Sequence, residues 1–211
     1  SDNVAGVAPQ ILEAVIAANR GTASSYGADD ISARVEARLC EIFEREVRAF
    51  PVATGTAANA LSLSVMTPPY GAILCHDEAH IHFDECGAPE MFTGGAKLVP
   101  LPGAWGKVTP DTVRHILENT LTGDAHRVQP SALSITQATE AGTCYRPAEV
   151  AALAEVARSR GMKVQMDGAR FANAVAHRGG SPAEVTWRSG VDALSFGATK
   201  NGALGAEMVV F

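Results

Sequence analysis

The chain has 211 residues, enough for one large domain or two small ones, and its 46% of hydrophobic and 19% of charged residues are typical of a globular protein. The formal net charge of −6 disfavours nucleic-acid binding, which needs a basic surface. The sequence contains no run of about 18 apolar residues, so we predict no membrane span. Residues Ser1 to Asn3 do not resemble a secretory signal. Four cysteines without a C-x-x-C pair indicate reduced thiols, so we expect a cytoplasmic location.

The first third of the chain predicts three helices and a short strand. Apolar residues at helical spacing predict helices over 9–19 and 31–46, and residues 47–52 predict a strand. A third helix over 57–66 is small and apolar, which predicts burial, and two prolines end it.

Strands and helices then alternate. Helices are predicted over 110–118 and 147–160, and a capping box at Ser181 and Glu184 predicts a short third one. Further strands are predicted over 72–75, 97–101, 132–136, 162–166, 192–196 and 208–211. This alternation predicts an α/β fold, with a mostly parallel central sheet and helices on both faces. Because the last strand ends the chain at Phe211, we expect a fragment: residues 1–211 would form an N-terminal segment and a large domain, with a small C-terminal domain missing.

Three segments carry the candidate chemistry: residues 55–59 precede a helix, residues 167–170 follow a strand, and residues 195–200 end in a lysine after another strand. Ligands bind outside the carboxyl ends of parallel strands, so we expect the second and third segments to share a site.

These segments fit pyridoxal 5′-phosphate (PLP). A helix N-terminus binds phosphate through its free N–H groups, and here Gly55 permits close approach while Thr56 adds a hydroxyl. A carboxylate such as Asp167 keeps the ring nitrogen protonated, and an amine such as Lys200 captures the aldehyde as a Schiff base. The sequence therefore predicts PLP as the cofactor.

Motifs along the whole chain resemble those of the L-threonine aldolase family of PLP fold type I enzymes, which is related to the β-eliminating lyases. They are Ser1-Asp2-Asn3, Tyr26-Gly27-Ala28-Asp29, Gly55-Thr56-Ala57-Ala58-Asn59, Ala79-His80-Ile81 with Glu85-Cys86-Gly87-Ala88, and residues 167–174. The likeness is nearest to the low-specificity threonine aldolase and phenylserine aldolase branch. Residues 136–140 and 199–207 depart from the family's usual E-N-T and S-K-G-L-G-A-P patterns, which leaves the substrate preference open.

The resemblance implies the large domain of PLP fold type I and a PLP-dependent aldehyde-lyase. Such an enzyme cleaves β-hydroxy-α-amino acids, here L-threonine, L-allo-threonine or phenylserine, to glycine and an aldehyde. Its active site forms where subunits meet, which implies a homodimer or homotetramer, with Tyr26 and Asp29 reaching the neighbour's cofactor. The residues implied in the cofactor site are Gly55, Thr56, His80, Asp167, Arg170 and Lys200.

The resemblance also implies residues that act on the substrate. Arg170 and Ser1 would bind the substrate carboxylate, because a guanidinium matches a carboxylate in a two-point fork. Lys200 is the catalytic amine, and His80 would stack on the cofactor ring. Either His80 or His126 would handle the proton of the β-hydroxyl group.

Other functions remain open. β-Elimination, hydroxymethyl transfer and racemisation by fold type I enzymes would use Lys200 and Asp167 in the same way. A zinc hydrolase could be built on His76, His80 and His82, two of which have i, i+4 spacing, but the residue after His76 is not the glutamate of the metalloprotease motif. We therefore predict no metal site. A third alternative is a cofactor-free binding domain.

Overall fold

Seven strands form one sheet in the computed structural model, which describes residues 2–211. They are β1 (Ala49–Val52), β2 (Gly71–His76), β3 (Lys97–Leu101), β4 (Gln129–Thr136), β5 (Lys163–Gly168), β6 (Ala193–Gly197) and β7 (Glu207–Val210). Their order across the sheet is β1-β7-β6-β5-β4-β2-β3. Strands β2 to β6 are parallel, whereas β7 is antiparallel to both β6 and β1. The predicted mostly parallel sheet is thereby confirmed.

Helices connect these strands. They are α1 (Pro9–Ala18), α2 (Asp30–Phe43), α3 (Gly55–Met66), α4 (His80–Phe83), α5 (Ala88–Phe92), α6 (Pro110–Glu118), α7 (Pro147–Arg158) and α8 (Phe171–Arg178). The five long helices predicted from apolar spacing are confirmed, with ends shifted by up to three residues. None of the described helices is long and apolar enough to cross a membrane.

The predicted short helix after Ser181 is wrong. The capping box itself forms: the Ser181 N–H donates to Glu184 Oε2 at 3.0 Å, and the Glu184 N–H donates to Ser181 Oγ at 3.3 Å. Turns and a 3₁₀ segment at Trp187–Ser189 follow instead of an α-helix. The Trp187 indole donates to the Phe43 carbonyl oxygen at 2.7 Å, so a tertiary contact overrides the local helix signal.

Both faces of the sheet are covered, because alternate residues of a strand join different cores. On β2, Ile73 packs in the core that contains Leu63 of α3, whereas Leu74 packs in the larger core that contains Leu153 of α7. All six β2 residues are buried, as expected of a parallel strand between two helical layers.

Candidate active site

A cleft lies at the carboxyl ends of β4, β5 and β6, beside the amino end of α3. The structure brings the six residues predicted for a cofactor site into its lining: Gly55, Thr56, His80, Asp167, Arg170 and Lys200. Gly55 and Thr56 form the first turn of α3 rather than a loop before it, because Thr54 is the N-cap and accepts the Ala57 N–H at 3.1 Å. The roles of these residues stay predictions.

Asp167 is a buried carboxylate in the lining of the cleft. It is 4% exposed, near the end of β5, and its Oδ2 accepts a hydrogen bond from Asn59 Nδ2 at 2.8 Å. Its Oδ1 accepts the Ala169 N–H at 3.0 Å. These two bonds fix the carboxylate at the point where the sheet meets the cleft.

Glu85 connects Asp167 to His80, and its role was missed by sequence reasoning. Its Oε1 accepts from Asn59 Nδ2 at 2.8 Å and lies 2.9 Å from His80 Nδ1. Burial raises the pKa of the Glu85 carboxyl group, and the hydrogen bond that His80 Nδ1 donates to Glu85 raises the pKa of the imidazole. Glu85 belongs to the segment 85–88 that resembles a family motif. The amino-acid sequence alone does not reveal that the Glu85 side chain is fully buried.

Lys200 lies on a short 3₁₀ segment, Thr199–Asn201, between the antiparallel strands β6 and β7. The segment is attached to β7, because the Thr199 N–H donates to Glu207 Oε1 at 3.4 Å. Gly197 makes this possible: a Cβ there would lie 2.6 Å from Glu207 Oε2. Backbone and carboxylate thus position the lysine together.

Arg170 binds a carboxylate within the chain. Its Nε and Nη2 donate to the two carboxylate oxygens of Asp2, the latter at 3.1 Å, and Lys200 Nζ lies 3.6 Å from Asp2 Oδ1. The hydrogen bond from Arg170 lowers the pKa of Asp2 to about 2. The Ala8 N–H donates to the Gly202 carbonyl oxygen at 2.9 Å, which holds this N-terminal segment near the lysine turn. Sequence reasoning named Arg170 but not Asp2, and the prediction for Ser1 lies outside the described residues.

The structure does not bring His126 to the cleft. His126 is exposed in the turn before β4, at the amino end of the parallel strands and therefore at the opposite edge of the sheet. Its backbone N–H donates to Asp124 Oδ1 at 2.9 Å. Within this chain His126 and His80 therefore do not meet in one cleft, and the catalytic role of His126 stays a prediction.

The zinc alternative is also contradicted. His76 Nε2 is hydrogen-bonded to the Gly103 carbonyl oxygen at 3.1 Å, and His82 Nδ1 to the Asp77 carbonyl oxygen at 3.0 Å, so the two rings do not converge on His80. Within residues 2–211, the group with metal-like spacing is His80, Glu85 and Asp167. The Asn59 amide donates to both of its carboxylates, which places a hydrogen-bond donor where a cation would bind.

The family model "Beta-eliminating lyase" matches residues 1–211. Low specificity L-threonine aldolases from Pseudomonas aeruginosa and from a second Pseudomonas strain are 42% and 41% identical over 211 residues. Each match covers 100% of this chain and 60% of the relative, so the chain spans well under two thirds of the length of these proteins.

A solved structure of a threonine aldolase from Leishmania major superposes with a TM-score of 0.91 and 26% sequence identity, over 100% of this chain and 61% of the other. The likeness confirms the predicted fold class, the large α/β domain of PLP fold type I. The assignment of residues 1–211 to one domain that lacks a C-terminal partner stays a prediction.

Proposed function

Because the chain belongs to the beta-eliminating lyase family, we propose that it forms the PLP-binding part of an aldehyde-lyase. The enzyme cleaves β-hydroxy-α-amino acids such as L-threonine, L-allo-threonine or phenylserine to glycine and an aldehyde. The observation that carries the proposal is that Asp167 and Lys200 line the same cleft, with the amino end of α3 beside them. The Pseudomonas relatives, which are named as low specificity L-threonine aldolases, support the choice of substrate class.

The residues of the cleft fit PLP. The buried Asp167 carboxylate would hold the ring nitrogen of PLP, and Lys200 would supply the amine for its aldehyde. Gly55 and Thr56 at the start of α3 would hold its phosphate. Thr199 Oγ1 supports this assignment, because it is buried in the same cleft without a hydrogen-bond partner in residues 2–211. When bound, PLP supplies an aldehyde and an electron-accepting ring.

Arg170 binds the substrate carboxylate in this proposal. Asp2 occupies the edge of the guanidinium formed by Nε and Nη2, which leaves the edge formed by Nη1 and Nη2 for a second carboxylate. Ser1 is proposed to assist there. A carboxylate held at a fixed point orients the bond to be broken, and such positioning lowers the barrier.

His80 exchanges the proton of the substrate's β-hydroxyl group. Its Nδ1 is held by Glu85, so Nε2 is the nitrogen available for substrate. The proximity of Glu85 favours the protonated imidazole, which allows His80 to keep the proton after accepting it.

We also propose that the protein acts in the cytoplasm as a homodimer or homotetramer. Helix α1 supports assembly, because its side chains Ile11, Leu12, Val15 and Ile16 are exposed and no residue of the helix is buried.

One experiment tests the reaction. The full-length protein is incubated with PLP, and a visible absorption band that borohydride bleaches, with the label on Lys200, is expected. The protein is then given L-threonine, L-allo-threonine and phenylserine. Acetaldehyde or benzaldehyde together with glycine supports aldol cleavage. A 2-oxo acid with ammonia would instead identify β-elimination and overturn the proposal.

A further inference from the structure

Four buried polar side chains form a row beneath the cleft, at the level of the sheet. Ser134 Oγ on β4 donates to Gln165 Oε1 on β5 at 2.5 Å. Gln165 Nε2 donates to Ser195 Oγ on β6 at 3.0 Å and to Asn59 Oδ1 on α3, also at 3.0 Å. Gln165 is 0% exposed and lies two residues before Asp167, so both side chains point to the α3 face of the sheet.

The two carboxylates of the cleft determine which way the hydrogen bonds of this row run. A carboxylate only accepts hydrogen bonds, so Asn59 must turn its Nδ2 toward Asp167 and Glu85. Its Oδ1 then faces Gln165, which must in turn present Nε2. The two ends of an amide have nearly the same shape, so steric fit alone does not choose this orientation.

We propose that Gln165 is a positioning residue: by fixing the amide of Asn59, it holds Asp167 and Glu85 in the arrangement that binds the cofactor and orients His80. The part that concerns the cofactor rests on the proposed function. Without the donor from Gln165, Asn59 Oδ1 is a buried acceptor that lacks its partner. The amide can then rotate, and rotation brings its oxygen against two carboxylates.

The register of the sheet explains how a glutamine can occupy this position. Ser134 is the direct neighbour of Gln165 on β4, and Ser195 is the direct neighbour of Asp167 on β6. Both are small and hydroxylated, so they leave room for the longer side chain and can donate or accept. Both ends of the Gln165 amide therefore have hydrogen-bond partners inside the protein.

The test compares Gln165→Met with Ser134→Ala. Methionine keeps the volume and removes the donor to Asn59, whereas Ser134→Ala removes a bond to the same glutamine on the side away from Asn59. The first readout is the side-chain amide of Asn59 in ¹H–¹⁵N spectra of the cofactor-free protein, assigned by its loss in Asn59→Asp. We expect slow hydrogen exchange in the wild type and in Ser134→Ala, and fast exchange in Gln165→Met.

The second readout is the dissociation constant for PLP. It is expected to rise about tenfold in Gln165→Met, the effect of about one hydrogen bond to a charged group, and to stay within about twofold in Ser134→Ala. Gln165→His, which retains an N–H donor, is expected to restore both readouts. Unchanged exchange at Asn59 and unchanged PLP affinity in Gln165→Met would overturn the proposal.

Two results separate this inference from the proposed function. If the wild type fails to bind PLP, the proposed function is wrong, while the exchange at Asn59 still decides the role of Gln165. If Gln165→Met does not fold, the double variant Ser134→Ala/Ser195→Ala keeps Gln165 but frees its amide. That variant is expected to speed exchange at Asn59 by a smaller factor, and no change there would also refute the inference.

Discussion

The two walls of the cleft are built differently. On the sheet side, Asp167 and Glu85 are buried and joined through Asn59, and the Glu85 side chain is 0% exposed. On the turn side, Lys200 and Arg170 meet Asp2, whose side chain is 47% exposed. The first wall is fixed by strands and hydrogen bonds, and the second depends on ion pairs near solvent.

This difference indicates that the two walls suit different ligands. Groups fixed in a buried network suit a rigid cofactor, because they need no rearrangement when it binds. Ion pairs near the surface are weak and exchange partners readily, which suits a substrate that arrives and leaves. Changes on the sheet side should therefore reduce stability and cofactor affinity, and changes at Asp2 should mainly alter substrate binding.

Lys200→Ala should have the largest effect. Removal of the amine that we propose binds the cofactor should lower kcat by at least about 10³-fold, as for other covalent catalysts. The unfolding temperature should change little in the cofactor-free protein. Steady-state kinetics with L-threonine and a borohydride-labelling assay measure this, with Lys200→Arg as the control that retains the charge. Full activity in Lys200→Ala would contradict the proposed role.

Asp167→Asn should have the second-largest effect on activity. The substitution keeps the shape of the side chain but removes its charge. It also sets the amide of the new asparagine against the amide of Asn59, which donates to Asp167 in the wild type. We expect a loss of about 10²-fold in kcat/KM. The free energy of unfolding should also fall by about 1–3 kcal/mol, because buried donors lose their acceptor. Kinetics and urea unfolding test both parts, and Asp192→Asn, near the other end of the sheet, is the control for activity.

Glu85→Gln should change the pH dependence of stability. In the wild type, the folded state raises the pKa of both Glu85 and His80, so it binds more protons than the unfolded chain. This contribution is present at low pH and is lost as pH rises through the folded pKa values. Stability should therefore decline between about pH 5 and pH 8. In Glu85→Gln the free energy of unfolding should fall less over this pH range. The difference from the wild type should be below about 1 kcal/mol, because His80 is partly exposed.

Urea unfolding of both proteins at several pH values measures this difference. Glu155→Gln on α7 serves as the matched control, since it neutralises an exposed carboxylate far from His80. Parallel stability profiles for wild type and Glu85→Gln would show that the pair does not take up protons on folding.

Asp2→Asn should have the smallest effect on stability and a selective effect on binding. Asp2 partly neutralises Arg170 and Lys200, so its removal should lower KM for the amino acid about threefold to tenfold. The pKa of Asp2 is about 2, so the effect should persist throughout the neutral range. Kinetics between about pH 6 and pH 9 test this. A higher KM in Asp2→Asn would mean that Asp2 orients Arg170 instead.

The sequence predicted the parts of the site that follow strand ends or lie in short motifs. Asp167 lies at the carboxyl end of one buried strand and Lys200 follows another, and in a parallel sheet such ends meet at one edge. Asn59, Gln165 and Glu85 could not be assigned roles, because their contacts depend on cross-strand register and on the rotation of α3. A neutral residue inside a strand gives no sign in the sequence that it reaches an active-site group.

Two expectations differ from the arrangement within this chain for a related reason. His126 was grouped with His80 by type and resemblance, but it precedes β4 and so lies at the opposite edge of the sheet. The capping box at Ser181 formed its local bonds, yet the Trp187 contact with α2 decided the backbone beyond it. Local signals were reliable where neighbouring elements agreed with them.

The pairing of β1 with β7 has a consequence for biosynthesis. Residues 49–52 are synthesised well before their partners at 207–210. Until then β1 has no place in the sheet, because β7 is its neighbour there. Contacts so distant in sequence form slowly. We therefore expect the lysine turn, which precedes β7, to become ordered only once residues 207–210 have joined the sheet beside β1.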